Sequence, residues 1–224
     1  MQNLNVLYED NHIIVVEKPV NIPSQADKTG DIDMLTIIKQ YIKEKYNKPG
    51  NVYLGLVHRL DRPVGGVMVF AKTSKAASRL SEEVRLKQFE KKYLVIANGK
   101  FEKDKGELED YLLKNQAKNM SKVVKEGTKN SKLAKLDYEV IKYDPDLNLS
   151  VVKINLHTGR HHQIRVQFAS RGHYLLGDQR YGVLDNKQIS LFSYYLSFEH
   201  PVTHEILEFK VMPKKENYWT LFTL

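Results

Sequence analysis

The stretch Val57–Lys75, VHRLDRPVGGVMVFAKTSK, holds one acid, Asp61, among five basic residues: His58, Arg59, Arg62, Lys72 and Lys75. Positive charge on both sides favours the ionised form of a carboxylate, so Asp61 should be charged at neutral pH. An ionised carboxylate is one of the few side chains that can form and release a covalent bond to carbon. The same residues would also suit a surface Asp–Arg pair at the start of a strand. Gly65 and Gly66 lack the rest of any nucleotide-binding fingerprint, so they read as close backbone packing after a turn. A glycosidase would need a second catalytic acid, and this stretch holds none. His157, His161 and His162 match no zinc-ligand spacing and have no cysteine to help them, so no metal is expected.

These residues need elements to hold them. Asn11–Pro19 is a short apolar run stopped by proline, which predicts a strand. Apolar residues at 34, 35, 38, 41 and 42 predict a helix over Asp31–Tyr46, with Asp31 or Asp33 able to cap it. Behind Asp61, GGVMVFAKT is apolar throughout, as a central strand buried on both faces would be. Ser74–Phe89 predicts a helix with Ser74 as cap and Ala76, Ala77, Leu80 and Val84 on one side. KKYLVIANG predicts a strand ended by glycine.

The second half alternates in period two. Leu136, Tyr138 and Val140, then Val152, Ile154 and Leu156, flank the Asp144-Pro145-Asp146 turn and predict a hairpin. Arg160–Gly172 predicts a helix ended by glycine. Phe192–Phe198 and Leu207–Val211 predict a last hairpin. Lys114–Lys135 holds seven lysines and no clean period, so an exposed loop or irregular strand pair is expected. Many hairpins and few helices indicate an α+β fold.

The chain has 224 residues, 42 % hydrophobic and 28 % charged, as in an ordinary globular protein. It has no cysteine, which excludes disulfides and thiol nucleophiles and suits a reducing, cytoplasmic compartment. The first twenty residues do not read as a signal peptide, and no apolar run approaches a membrane span. The net charge of +8 is the footprint expected of a phosphate-backbone binder.

With these pieces in place, the sequence resembles the RluA-type pseudouridine synthases. HRLD followed by small residues and an apolar strand is similar to that family's catalytic motif. His157–Gly182, HTGRHHQIRVQFASRGHYLLGDQRYG, is similar to its later motif. VLYEDNHIIVVEKP is similar to its opening strand and Lys-Pro motif, and LSFEHPVTHE to its closing hairpin. The four stand in the family's order over nearly the whole chain. Arg62-Pro63-Val64-Gly65-Gly66 departs from the common RxTSG, Gln167 stands where a histidine is usual, and Phe192-Ser193 replace a common His-Ala pair. These departures mark a divergent branch.

The resemblance implies one catalytic domain over residues 1–224, with a largely antiparallel sheet, flanking helices and an RNA-binding cleft. It implies isomerisation of uridine to pseudouridine in ribosomal or transfer RNA, with no cofactor. Asp61 matches the family nucleophile, which attacks either C1′ of the ribose or C6 of the base. Tyr93 matches the tyrosine that stacks on the uracil and helps remove the C5 proton. Arg165 matches the basic residue that contacts the catalytic aspartate, and the three are expected to converge. Arg59 matches the arginine that fills the space left by the flipped base. Arg62, Arg160, Lys118, Lys122 and Lys125 are expected to contact RNA. With no S4-type domain ahead of the first strand, recognition is expected from the catalytic domain itself, acting as a monomer. The alternative is a non-catalytic RNA-binding or ribosome-assembly factor on the same fold.

Overall fold

The computed structural model describes residues 4–223 and is α+β. It falls into two compact units. One comprises residues up to Glu90 together with Ser193–Met212, and the other Lys91–Phe192 with the segment from Pro213 on.

In the first unit, β1 (Asn5–Glu9) and β2 (Ile13–Lys18) form an antiparallel hairpin. Asp10 closes it, its carboxylate accepting from His12 N at 2.7 Å and Ile13 N at 2.8 Å. β1 is short and only half-buried, so the sequence showed a single strand here. β2 pairs antiparallel with β4 (Gly65–Ala71), and the two-residue β3 (Gly55–Leu56) also pairs with β4. β10 (Leu191–Glu199) neighbours β4 and pairs antiparallel with β11 (Ile206–Lys210).

Every residue of β4 is buried, as its unbroken apolar run requires. Ile13, Val15, Val67, Val69, Leu196 and Phe198 form a core with Ala76 and Leu80 of α2 (Ser74–Arg85). The cap of α2 is Thr73 rather than Ser74. Thr73 has the extended backbone, and its hydroxyl accepts from Ala76 N at 3.1 Å. α1 (Met34–Lys45) is capped by Asp33 and buries Met34, Ile38 and Ile42 along one stripe.

In the second unit, β5 (Glu90–Asn98), β9 (Leu149–Leu156), β8 (Lys132–Asp144), β6 (Lys105–Asn115) and β7 (Met120–Val124) lie side by side, all antiparallel. The lysine-rich stretch is therefore a regular hairpin leading into a long strand. Asn115 Oδ1 accepts from Lys118 N at 3.0 Å to shape its turn, and Asn119 takes a left-handed φ of 46°.

α3 spans Gln163–Ala169, shorter than the predicted 160–172. The Gln163 side chain explains the late start. Its Oε1 accepts from Thr158 Oγ1 at 2.7 Å and from Arg160 N at 3.0 Å, holding the preceding loop out of helical geometry. Gly172, with φ of 83°, ends the turn that follows the helix.

Candidate active site

Asp61 is half-buried in the segment that enters β4. Its carbonyl accepts from Val64 N at 2.9 Å, closing a four-residue turn with Arg62-Pro63 at the centre. Two further ties hold this turn. Ser24 Oγ donates to Leu60 O at 2.9 Å and accepts from Leu60 N at 3.2 Å. Lys18 Nζ donates to Arg62 O at 3.1 Å and to Pro19 O at 2.8 Å. Behind the turn, Gly66 has φ of 127°, and a Cβ there would lie 2.1 Å from Ser193 O. Close backbone packing is the reason for glycine at this position.

Lys18 is fully buried at the end of β2, opposite Gly66. Burial pulls its pKa down to about 7, the Asp61 charge resists that fall, and Arg62 adds to it. A buried cation near Asp61 was not expected from the sequence. Its only trace there is the lysine before Pro19.

Arg62 sits at a central turn position and its guanidinium turns to the 21–31 loop. Its Nε donates to Asn21 O at 3.2 Å, Nη1 to Thr29 Oγ1 at 3.0 Å, and Nη2 pairs with Asp31. Asp27 lies 3.8 Å from Nη1. A planar fork with five donors fits that ring of acceptors. Arg59 is exposed.

The second unit holds the other expected residues. Tyr93 lies on β5 opposite Ile154 of β9 and is only 7 % exposed. Arg165 is buried in α3 and grips the fully buried Asp178 with two bonds, Nε to Oδ2 at 2.8 Å and Nη2 to Oδ1 at 2.6 Å. Its guanidinium also lies 5.3 Å from the centre of the Tyr181 ring. Asp178 Oδ1 accepts in addition from Arg180 N at 2.9 Å and Tyr181 N at 3.2 Å. Gly177 lets the chain reach this position, because a Cβ there would lie 2.3 Å from Gln188 O. Asp178 is thus a positioning residue for Arg165 that sequence reasoning did not single out, although it stands in the quoted GD pair.

The loop entering α3 is tied to β7. Tyr181 Oη accepts from Ser121 N at 2.7 Å and lies 3.0 Å from His162 Nδ1. Burial and the charge of Arg165 push the His162 pKa down to about 2, so its imidazole is neutral. His161 stacks on it and meets Ser121 Oγ at 2.9 Å. His157 lies against Asp137. Among the described residues no three His, Cys, Asp or Glu side chains are grouped to hold a metal. Arg160 Nε donates to Leu133 O at 2.8 Å. Lys118, Lys122 and Lys125 are exposed along the β6–β7 hairpin and the turn after it. Among the described residues no helix is long and apolar enough to cross a membrane.

A carboxylate on a pinned turn is a group able to form and release a covalent bond to carbon. Residues 12–170 match the family of RNA pseudouridylate synthases. An uncharacterized RNA pseudouridine synthase of Aquifex aeolicus is 33 % identical over 222 residues, covering 93 % of this chain and 69 % of the relative. A Bacillus subtilis relative with the same description is 32 % identical, covering 91 % and 67 %. Ribosomal large subunit pseudouridine synthase C of Buchnera aphidicola is 33 % identical, covering 89 % and 64 %. The solved structure of human RNA Pseudouridylate Synthase Domain Containing 4 shares the fold, with a TM-score of 0.78 at 21 % identity over 94 % of this chain and 89 % of that one.

The chain belongs to the RNA pseudouridylate synthase family. Its reaction is the isomerisation of uridine to pseudouridine in RNA, and the binding-only alternative is set aside.

Proposed function

We propose that this chain modifies ribosomal RNA, with Asp61 as the nucleophile. The observation that carries the assignment of Asp61 is its turn, held from three directions by Ser24, Lys18 and the Asp61–Val64 bond. A nucleophile must keep its geometry while a bond forms and breaks, and such restraint serves that need. In the reaction the C1′–N1 bond breaks, the uracil turns, C1′ bonds to C5, and the C5 proton leaves while N1 gains one. Attack by Asp61 on C1′ or on C6 satisfies this balance equally. Tyr93 stacks on the uracil and assists loss of the C5 proton, and Arg165 supplies positive charge to the same reaction.

Arg59 takes the space of the flipped base, where a guanidinium can stack and bond phosphates. Arg62, Arg160, Lys118, Lys122 and Lys125 hold the RNA backbone. Ribosomal RNA is preferred over transfer RNA because several relatives are named for the ribosomal large subunit. The chain acts as one catalytic domain, as a monomer and in the cytoplasm.

Two experiments test this reading. Pseudouridine mapping of total RNA from a deletion strain should show missing sites in large-subunit ribosomal RNA, and losses confined to transfer RNA would overturn the target. Asp61→Asn should fold and bind RNA as wild type does, yet form no detectable pseudouridine in a tritium-release assay. The covalent route is then removed rather than weakened. A well-folded variant working near the wild-type rate would refute the role of Asp61.

A further inference from the structure

Lys91 is 9 % exposed on β5, and its side chain makes no hydrogen bond or ion pair with any described residue. A buried ammonium is expensive to desolvate, and proteins ordinarily pair it. Here burial alone lowers its pKa, with no charged neighbour contributing. The sealed, unpartnered side-chain polar atoms among the described residues are Gln167 Oε1 and Ser190 Oγ. Lys91 Nζ is not one of them, so its tip keeps a narrow opening to solvent. Strand alternation puts Lys91 on the same face as Tyr93, two residues on and roughly 6.7 Å along the strand. Three facts therefore coincide: a lysine stem packed into protein, a charged tip with no protein acceptor, and a place beside the tyrosine assigned to the uracil.

We propose that Lys91 is an RNA-binding residue whose ammonium takes a backbone phosphate next to the nucleotide stacked on Tyr93. This rests on the reading of Tyr93 given above. The ligand is a phosphate because the cation needs an anion, and phosphate is the anion that RNA offers. The lysine-rich hairpin differs in kind, since its cations are exposed and already solvated. Lys91 is largely desolvated before RNA arrives, so a phosphate meeting it displaces little water.

The test uses the full chain and an unmodified transcript of large-subunit ribosomal RNA, with affinity measured across a salt series. Lys91→Met keeps the stem and removes the charge. It should weaken binding on the order of tenfold and reduce the slope of log K against log salt by about 0.7, the loss of one single-strand phosphate contact. It should also melt a few degrees higher than wild type, because an unpaired buried charge is gone. Lys91→Arg should keep the slope. Lys91→Gln gives the same reading if the methionine variant folds poorly. Wild-type affinity and slope in a folded Lys91→Met would overturn the proposal. Weaker binding at an unchanged slope would overturn it too, since the contact would not be to phosphate. A wild-type protein that binds the transcript without modifying it counts against ribosomal RNA as the target and not against Lys91, because the slope is read from binding.

Discussion

Asp61 and Lys18 show how one residue sets the conditions for another. The carboxylate stands on a turn, and the buried ammonium bonds the carbonyl of the next residue, Arg62. The folded-state pKa of Lys18, about 7, lies below its ordinary 10.5. Between these values the unfolded chain binds the proton that the folded chain lacks. Stability contributed at Lys18 therefore rises as pH climbs from 7 toward 10.5, and its deficit is fully present below 7. Lys18→Met has no such dependence. Urea unfolding at pH 7 and pH 9 should show the wild type gaining on the variant by on the order of 2 kcal/mol over that interval. An equal gap at both pH values would mean that Lys18 titrates as an ordinary lysine. The absolute offset combines relief of a buried charge with two carbonyls left unbonded, so the change with pH is the measurement that decides.

Whole elements here depend on polar anchors as much as on apolar stripes. α3 is a short helix, and its buried Arg165 is fixed by the buried Asp178 in the loop beyond it. Removing one partner of a buried pair leaves an uncompensated charge, which costs about 3–5 kcal/mol. Asp178→Ala should therefore lower the denaturant midpoint substantially. It should also reduce turnover more than RNA affinity, since Arg165 is left without its orientation. Wild-type stability in that variant would show that Arg165 does not need Asp178. By contrast, the hairpin β6–β7 presents Lys118 and Lys122 to solvent while Val123 packs against the cluster of Leu112, Ala134 and Val166. One face builds the core and the other stays available.

At the scale of the molecule, charge is the property that meets the substrate. The excess of eight positive charges is unevenly placed, with seven lysines in the twenty-two residues from Lys114 to Lys135. Changing Lys118, Lys122 and Lys125 together to alanine should lower the salt slope of RNA binding by up to about 2, at roughly 0.7 per lost contact. Because all three are exposed, the folding cost stays within about 0.5 kcal/mol per site. An unchanged slope would show that this hairpin faces solvent throughout. The same salt series, run on Lys91→Met, separates an exposed field of lysines from one buried cation.

Local signals determined a good part of this protein from sequence alone. The unbroken apolar run of β4, an aspartate cap on α1 (left open between Asp31 and Asp33, and taken by Asp33), the alternating hairpins and the HRLD turn are each encoded within a few neighbouring residues, and each appears in the structure. Tertiary structure decided what depends on residues far apart in the chain. Lys18 lies 44 positions from the carbonyl it bonds, and Arg62 lies 31 from Asp31. No local period records such pairings. The lysine-rich stretch read only as an exposed loop or irregular strand pair because neither of its faces is uniformly apolar, so its regular pairing leaves no clean alternation. Lys91 looked like one of two neighbouring lysines in KKYLVIANG, and only burial of a side chain without a partner sets it apart. Side-chain chemistry and short-range spacing are properties of the string, whereas desolvation and charge pairing exist only once the chain has closed on itself.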